Sequence, residues 1–299
     1  MRDERPILLQ ASKPLIVRWP IYTASVAKKR EAPQQVLPFK PGKNQENAKV
    51  FLSDVIVFLK GLPNESVDLI ITDPAYSGMN QHLKLGKGRI VGDYKNKGDD
   101  GRWFEEFHDT PENYEIFLAE AKRVLKNDSH IFLMFDSYSM LTLGPLVREH
   151  FNLKNVIVWD KVNLGMGHYF RRQSEFVLFA CKGKRPLSRR DISDVWRIKR
   201  IHNAKYPTQK PVELFEAMIA SSKKKSDKKF VVCDPFVGSG SSAIAALRQN
   251  CQFIGSDISQ EAIDCSRERI EHFENYGEDI LQPKKATVPE LQKPFWEDN

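Results

Sequence analysis

The stretch VVCDPFVGSGSSAIAAL, residues 231–247, is the strongest indication of how this chain folds. A run of β-branched residues ends at Asp234, glycines at 238 and 240 permit a tight turn, and small residues then begin a helix with exposed N-terminal N–H groups. The place of a third glycine is taken by Ala243, which this kind of turn tolerates. Strand, glycine turn and helix in this order are typical of a parallel α/β sheet that binds a nucleotide-like group.

The spacing to the next acidic residue supports a ligand that contains a nucleoside. Asp257 stands 23 residues after Asp234, at the end of the predicted strand QFIGSD. A carboxylate in that position is suited to the hydroxyl groups of a ribose. The glycine turn alone would be weak evidence, but the turn and this carboxylate together indicate a cofactor that carries a nucleoside.

Short apolar strands alternate with helices along the chain. We predict strands at 50–52, 69–72, 130–135, 155–159, 175–180, 230–234 and 252–257. We predict helices from Ser53 to Leu62, from Thr110, over 137–150, from Pro211, after Gly240, and from Gln260 to Phe273. This alternation indicates a doubly wound, mostly parallel α/β sheet with helices on both faces, and ligands bind such sheets beyond the carboxyl ends of the strands. Polar residues lie at those ends, at Asp73 to Tyr76, Asp136, Asp234 to Gly240 and Asp257.

The composition argues against several classes of protein. The 299 residues are 41% hydrophobic and 28% charged, which suffices for a large buried core. No apolar run approaches the roughly 18 residues of a membrane helix, and the first residues lack the order of a signal peptide, so we expect a cytoplasmic protein that contacts no membrane. The four cysteines are widely spaced and near no histidine cluster, so we expect neither a bound metal nor a disulfide framework.

The basic residues are unevenly distributed. The net charge of +7 favours a polyanionic partner. Lysine and arginine concentrate at 182–190 and 197–200, with Trp196, His202 and Tyr206 among them, and basic residues together with aromatic ones are typical of a nucleic-acid surface. The other basic cluster, KKKSDKK, contains no aromatic residue and is interpreted as a solvated loop.

A second informative stretch is ITDPAYSG, residues 71–78, in which a strand stops on an aspartate, a proline and a tyrosine. Turn chemistry alone accounts for such a pattern, because proline presets φ, aspartate bonds its own backbone and glycine adopts many backbone conformations. The stretch becomes stronger evidence for a function when it is considered together with three further motifs, which come after it in a defined order.

Those four motifs are DPAY at 73–76, YPTQKP at 206–211, DPFVGSG at 234–240 and GSDIS at 255–259. They resemble the DNA amino-methyltransferases, in which a catalytic DPPY-type motif pairs with an FxGxG-type S-adenosylmethionine motif. Because the catalytic motif comes first, the chain is similar to the permuted β class over residues 48–275. The resemblance implies a Rossmann-like methyltransferase fold, S-adenosylmethionine as cofactor and double-stranded DNA as substrate. It is compatible with a homodimer, with a cognate restriction endonuclease and with a prokaryotic or phage-type, nucleoid-associated protein.

The resemblance also implies which residues hold the cofactor. Asp257 would bind the ribose, Asp234 would approach the methionine amino group, and Asp54 would accept a hydrogen bond from the adenine amino group. The residues alone leave a helix cap open for Asp54 and a solvated surface position for Lys210. The full set that the resemblance assigns to the cofactor is Asp54, Thr208, Lys210, Asp234, Phe236, Gly238, Gly240, Ser241 and Asp257.

DPAY is interpreted as a clamp for the target base. An exocyclic amino nitrogen is a poor nucleophile because its lone pair is delocalised into the ring, so acceptors must hold its N–H groups. Asp73 and the carbonyl of Pro74 would be those acceptors, and Tyr76 would stack on a base flipped out of the duplex. In the family, aspartate at the first position usually accompanies N6-adenine enzymes and serine N4-cytosine enzymes, so Asp73 favours adenine and leaves cytosine as the alternative. Ala75 departs from the family's second proline, which makes the turn less rigid.

The motifs divide the chain into regions. We predict a methyltransferase domain at 46–281, with a mobile loop at 77–110 and a short target-recognition region at 161–206, between an N-terminal extension at 1–45 and a C-terminal tail at 282–299. The residues predicted to contact DNA all belong to the recognition region, and they are Arg171, Arg172, Arg189, Arg190 and Arg200.

Three other functions share part of this pattern. A nicotinamide dehydrogenase would use the same glycine turn but would not need DPAY on another strand end. An RNA methyltransferase would use similar chemistry. A catalytically inactive nucleic-acid-binding homologue is the non-enzyme alternative, and the presence of Asp73, Tyr76 and Gly238 argues against it.

Overall fold

The computed structural model describes residues 47–74, 110–165, 169–202, 204–206 and 208–282. Within these ranges, the strands are β1 (Ala48–Leu52), β2 (Val67–Thr72), β3 (Leu125–Phe135), β4 (Asn152–Asp160), β5 (Ser174–Lys182), β6 (Val195–Arg197), β7 (Val231–Asp234) and β8 (Gln252–Asp257). The helices are α1 (Val55–Gly61), α2 (Pro111–Val124), α3 (Ser137–His150), α4 (Val212–Ser222), α5 (Ser241–Arg248) and α6 (Gln260–Tyr276). No helix in the described ranges has the length and apolar character needed to cross a bilayer.

The strands form one sheet in the order β1-β8-β7-β2-β3-β5-β4-β6. β1, β8, β7, β2 and β3 are parallel neighbours, which confirms the predicted mostly parallel sheet. β5 runs antiparallel to both β3 and β4, with Phe176 opposite Phe135 and Ser174 opposite Asp160. The start of β5 therefore lies at the same edge of the sheet as the carboxyl ends of β2, β3, β4, β7 and β8, and we call this edge the active-site edge.

Helices cover both faces of the sheet, as a doubly wound fold requires. Alternation along β2 sends Leu69 and Ile71 into one core, where they join residues of α4, α5 and α6. Ile70 points into the other core, which contains residues of α1, α2 and α3, among them Phe58 and Phe117. Burying a side chain of this size contributes about 1.5–3 kcal/mol, so both faces stabilise the strand that leads to Asp73.

The helix starts follow local capping chemistry. Thr110 caps α2 by accepting from Asn113 N, with Pro111 in the first turn, as the sequence predicts. The prediction that the first helix begins at Ser53 is wrong, because Asp54 is its N-cap: Asp54 Oδ1 accepts from the N–H groups of Ile56 and Val57 at 2.9 and 3.3 Å, and α1 begins at Val55.

The interpretation of Trp196 and Tyr206 as surface aromatics is wrong. Trp196 is 5% exposed and Tyr206 is 7% exposed, so neither ring presents a face to a base. Trp196 lies in β6, a strand of three residues that the sequence analysis did not predict, and its indole donates to the carbonyl of Ser193 at 2.8 Å. The sequence could not predict β6, because three residues are too few for a periodic pattern. The strand is recognised only by its backbone pairing with β4.

Candidate active site

The first predicted catalytic residue, Asp73, directly follows β2 at the active-site edge. Its neighbour Pro74 is buried. The predicted stacking residue Tyr76 lies outside the described residues, as do Ala75 and the predicted loop except for its last residue, Thr110. The described part of the clamp is therefore one carboxylate and one proline at the end of a strand that is buried on both faces.

Asp73 forms an ion pair that the sequence analysis did not foresee. The ammonium group of Lys210 contacts Oδ2 of Asp73, and it lies 3.9 Å from Oε2 of Glu175. Oε1 of Glu175 accepts from the ammonium of Lys161 at 2.9 Å. Two lysines and two carboxylates thus alternate across the active-site edge. The cofactor role predicted for Lys210 stays a prediction, and the contacts described for its side chain are with the predicted catalytic carboxylate, Asp73, and with Glu175.

The environment shifts the pKa of each group in this cluster. Burial raises the pKa of Asp73, and Lys210 offsets this only in part, because Glu175 and Asp136 add further negative charge. Burial would raise the pKa of Glu175, but Lys210 and Lys161 outweigh it and hold that pKa below its ordinary value. Burial would lower the pKa of Lys210, but Asp73 and Glu175 raise it above its ordinary value. Lys210 is accordingly held in its charged form by the two carboxylates.

The glycine turn after β7 has the backbone that the sequence predicts. Gly238 and Gly240 both have positive φ, 49° and 82°, which glycine adopts without strain. A Cβ added at Gly240 would lie 3.1 Å from Cβ of Ser266, whereas one added at Gly238 would meet no atom within 4 Å. Oδ2 of Asp257 accepts from Gly238 N at 2.9 Å, so the two predicted cofactor residues lie together with open space above the turn.

Asp234 joins the glycine turn to the strand that carries Asp73. Its side chain accepts from Oγ1 of Thr72 at 2.7 Å, from Oγ of Ser242 at 2.5 Å and from Phe236 N at 3.0 Å. Asp234 is 1% exposed, and burial raises its pKa to about 7. Since Thr72 directly precedes Asp73, this carboxyl links the predicted cofactor site to the predicted catalytic site.

Ser241 makes a second link between the same two regions. Its hydroxyl donates to the backbone carbonyl of Lys210 at 2.7 Å and accepts from Nη1 of Arg269 at 3.0 Å. Arg269 is fully buried, donates also to the carbonyl of Ser239 and pairs with Asp279 at 2.7 Å. The glycine turn and the backbone of Lys210 are therefore held by one buried arginine.

Unpaired polar atoms at the active-site edge indicate where a ligand fits. Both side-chain amide atoms of Gln209, and Oδ2 of Asp136, are buried without a hydrogen-bond partner among the described residues. Leaving such an atom unpaired costs about 1–3 kcal/mol. Gln209 adjoins Lys210 and Asp136 follows β3, so a polar ligand at this edge can satisfy them. Phe236 packs edge-on against Phe117 with ring centroids 5.7 Å apart, and Asp54 caps α1.

The arginines predicted to contact DNA fall into two groups. Arg171 is exposed in the β4–β5 loop, and the guanidinium of Arg172 lies 5.1 Å from the ring centre of Tyr138, in the first turn of α3. Both belong to the active-site edge. Arg189 and Arg190 follow Ser188, whose backbone N–H donates to Ser221 O at the far end of α4, so they lie towards the opposite edge.

Arg189 also pairs with Asp191 at 2.6 Å. Arg200 lies three residues after β6 and is partly buried, with an Nε that has no partner in the described part of the chain. The structure therefore does not gather the five predicted arginines into one patch. Which of them contact DNA stays a prediction.

Three further residues belong to this site and were not predicted: Lys161, Glu175 and Arg269. Glu175 was visible only as the first residue of a predicted strand. Its place at the active-site edge follows from the antiparallel direction of β5, which a run of apolar residues does not reveal. Arg269 was part of a predicted helix, and no local signal marks its burial.

The chain is similar to known DNA methylases. A family model described as DNA methylase, for N6 and N4 enzymes, matches residues 67–268. The type II methyltransferase M2.DpnII of Streptococcus pneumoniae is 30% identical over 258 residues, which cover 79% of this chain and 94% of that protein. The type II methyltransferase M.HinfI of Haemophilus influenzae is 30% identical over 283 residues, which cover 82% of this chain and 77% of that protein.

Solved structures share the fold. The M1.HpyAVI–SAM complex matches with a TM-score of 0.52 and 20% identity, over 74% of this chain and 99% of that one. The PvuII DNA methyltransferase, described as cytosine-N4-specific, matches with a TM-score of 0.55 and 15% identity, over 77% of this chain and 92% of that one. These structural matches support the predicted Rossmann-like fold. The sequence identities are too low to indicate the target base.

Proposed function

The chain belongs to the N6/N4 DNA methylase family and is a DNA amino-methyltransferase, and we propose that its target atom is N6 of a flipped adenine in double-stranded DNA. The observation that carries this proposal is Asp73, an aspartate at the first position of the clamp that lies at the active-site edge. Aspartate in this position usually accompanies adenine enzymes in the family that the motifs resemble. N4 of cytosine is the alternative target.

The residues around the glycine turn suit S-adenosylmethionine, the methyl donor of the family, which supplies an electrophilic methyl group on a sulfonium sulfur. Asp257 would accept from the ribose hydroxyls, and the turn at Gly238 offers space for the methionine end. The unpaired amide of Gln209 and the unpaired oxygen of Asp136 offer further polar contacts. We propose that these residues, with the nine assigned from the resemblance, hold the cofactor.

The proposed chemistry follows from the amino group itself. Oδ2 of Asp73 contacts Lys210, which leaves Oδ1 to accept one N–H of the target, and the carbonyl of Pro74 would accept the other. Holding both N–H groups favours a more tetrahedral nitrogen with an available lone pair. The lone pair would form the N–C bond to the methyl carbon as the S–C bond breaks and its electron pair stays on sulfur, which becomes a neutral thioether, and the methylated nitrogen would release one proton to solvent. Tyr76 would stack on the flipped ring.

Product analysis tests the target base. DNA methylated in vitro by the purified protein is digested to nucleosides, which are separated and identified by mass spectrometry. We expect N6-methyladenine and no N4-methylcytosine. N4-methylcytosine without N6-methyladenine would show that the proposed base is wrong, while leaving the amino-methyltransferase activity intact. An Asp73→Ala preparation serves as the control for contaminating methylases.

Two further partners belong to the proposal. The relatives are named type II methyltransferases, which supports a cognate restriction endonuclease with the same recognition sequence. Sequencing the methylated positions of host DNA after expression would give that sequence, and an endonuclease that cleaves it only when unmethylated would be the partner. A homodimer and a nucleoid-associated, cytoplasmic location stay predictions, which light scattering and fluorescence microscopy test.

A further inference from the structure

Four charged side chains lie in a row across the active-site edge, in the order Lys161, Glu175, Lys210 and Asp73, and we call this row the charge row. They come from four segments of the fold: the residue after β4, the start of β5, the segment before α4 and the end of β2. Their side chains are 11%, 29%, 18% and 20% exposed, so water screens their charges little. The sequence and the resemblance account only for Asp73 and Lys210, which leaves Glu175 and Lys161 without a role.

The backbone is strained beside both lysines. Val162, next to Lys161, has φ of 68°, and Thr208, two residues before Lys210, has φ of 59°. Branched residues rarely adopt this left-handed conformation, and strain of this kind persists where the surrounding structure imposes it, most often at functional sites. Unfavourable backbone conformations are therefore found close to each of the two lysines that contact Glu175.

Backbone hydrogen bonds hold three members of the charge row in place. Lys161 N donates to Gln173 O at 2.8 Å, and Glu175 pairs with Trp159 in the β4–β5 ladder. The carbonyl of Lys210 accepts from Ser241 Oγ at 2.7 Å. The backbones of Glu175 and of the two lysines are thus fixed by hydrogen bonds, so the fold determines the distances between their side chains.

We propose that Glu175, itself held by Lys161, is a positioning residue that shares the ammonium of Lys210 with Asp73. This inference rests on the proposed function, because it gives the sharing a purpose in methyl transfer. A lysine ammonium has three donors, so it can face both carboxylates. With Glu175 present, the charge of Lys210 is divided between two carboxylates, so Asp73 keeps more negative charge with which Oδ1 can accept the target N–H. Without Glu175, Lys210 would pair with Asp73 alone and would weaken Asp73 as an acceptor.

Replacing Glu175 by glutamine tests this role in the full-length enzyme. Transfer of radioactive methyl groups to DNA is measured in a single turnover across pH, whichever base is modified. For Glu175→Gln we expect the maximal rate to fall at least tenfold, with the Kd values for cofactor and DNA within threefold of wild type. Glu175→Asp should recover part of the rate. The matched control is Glu216→Gln. Glu216 lies on α4, and its carboxylate is also largely buried and ion-paired, so its replacement should leave the rate unchanged.

The pH profile separates this role from a merely structural one. The charged groups that face Asp73 are Lys210, Glu175, Asp136 and Asp234. Glu175 raises the pKa of Asp73, so its removal should shift the acid limb of the profile to lower pH. A rate within twofold of wild type, an unmoved acid limb, or a loss that follows weakened cofactor binding would each overturn the proposal.

A second measurement does not depend on methyl transfer. Acetic anhydride labels lysines only when they are uncharged, and mass spectrometry reports the labelling rate of each. Glu175 raises the pKa of Lys210, so Glu175→Gln should label Lys210 several-fold faster at the same pH, with exposed Lys60 as the internal reference. Equal labelling would overturn the inference alone. A wild-type protein that transferred no methyl group to DNA would instead overturn the proposed function.

Discussion

The ammonium of Lys210 contacts Oδ2 of Asp73 across 137 positions of sequence. One residue belongs to the clamp motif, and the other belongs to the motif that precedes the helix α4. The contact means that a single charge pair connects the region predicted to hold the base to the region that adjoins the predicted cofactor turn. Burial raises the pKa of Asp73, and the contact with Lys210 offsets part of that increase.

Replacing Asp73 tests its role as the acceptor for the target amino group. Asp73→Asn keeps the shape of the side chain and removes its charge, so we expect methyl transfer to fall by at least about a hundredfold, as when one preorganised polar group is lost from an active site. Cofactor affinity measured by calorimetry should stay within a few-fold, since the carboxylate faces the base in the proposal. Normal turnover by this variant would contradict the assignment. Asp191→Asn, on the surface, is the control.

Replacing Lys210 should move the pH profile in the direction opposite to Glu175→Gln. Lys210 lowers the pKa of Asp73, so Lys210→Met leaves burial unopposed and raises that pKa. Asp73 is then protonated over a wider range, and the acid limb of the single-turnover rate should shift to higher pH, with activity partly restored on the alkaline side. The pH–rate curves of the two variants, measured side by side, check this. Shifts in the same direction would show that Glu175 and Asp73 do not share the ammonium of Lys210 as proposed.

Asp257 should contribute to cofactor affinity by way of charged hydrogen bonds. Asp257→Ala removes the predicted ribose acceptor, at a cost of about 1.5–3 kcal/mol. The same carboxylate accepts from Gly238 N and Ser259 N, so part of the loss would come from a looser turn. Asp257→Asn keeps an acceptor for the turn and separates the two effects. Calorimetric titration with S-adenosylmethionine checks both variants, and an unchanged Kd for Asp257→Ala would exclude the ribose role.

The buried pair of Arg269 and Asp279 should determine part of the fold's stability. The side chains are 0% and 1% exposed, so Asp279→Asn leaves a buried cation unpaired, at a cost of about 3–5 kcal/mol in the free energy of unfolding. Burial would raise the pKa of Asp279, but Arg269 outweighs it and lowers that pKa.

A carboxyl with a lowered folded-state pKa stabilises the fold above its unfolded pKa of about 3.9, and this stability is lost as the pH falls through the folded value. Urea titrations across pH should therefore show a large stability difference between wild type and Asp279→Asn at pH 7 that narrows in acid. A difference that stays constant down to pH 2 would contradict the role of the ionised carboxylate.

The sequence predicts those parts of the site that depend on local order along the chain. Asp73 and the glycine turn are both found at strand ends, because each motif contains its own strand and turn. Glu175 and the Lys210–Asp73 contact could not be predicted in this way, since they depend on which strands are neighbours and in which direction β5 runs. The misinterpretation of Trp196 has a related cause: composition does not tell a buried ring from an exposed one, and Trp196 is buried in β6, which pairs with β4.

The position of the arginines leads to a prediction about DNA binding. Arg171 and Arg172 lie at the active-site edge, whereas Arg190 follows Ser188, which is bonded to the far end of α4. A base that reaches Asp73 brings the neighbouring phosphates close to the first pair. We therefore expect the β4–β5 loop to supply more of the phosphate contacts than the segment around Arg190.

The salt dependence of DNA affinity checks this expectation. Each lost phosphate contact lowers the slope of log K against log salt concentration by about 0.9, so Arg171→Ala should reduce the slope by about one contact. Arg190→Ala is the matched control, because it removes another exposed arginine and should leave the slope nearly unchanged. Fluorescence anisotropy at several salt concentrations, with the cofactor product present, gives both slopes. A larger decrease for Arg190→Ala than for Arg171→Ala would place the DNA on the opposite edge and contradict the proposed approach to Asp73.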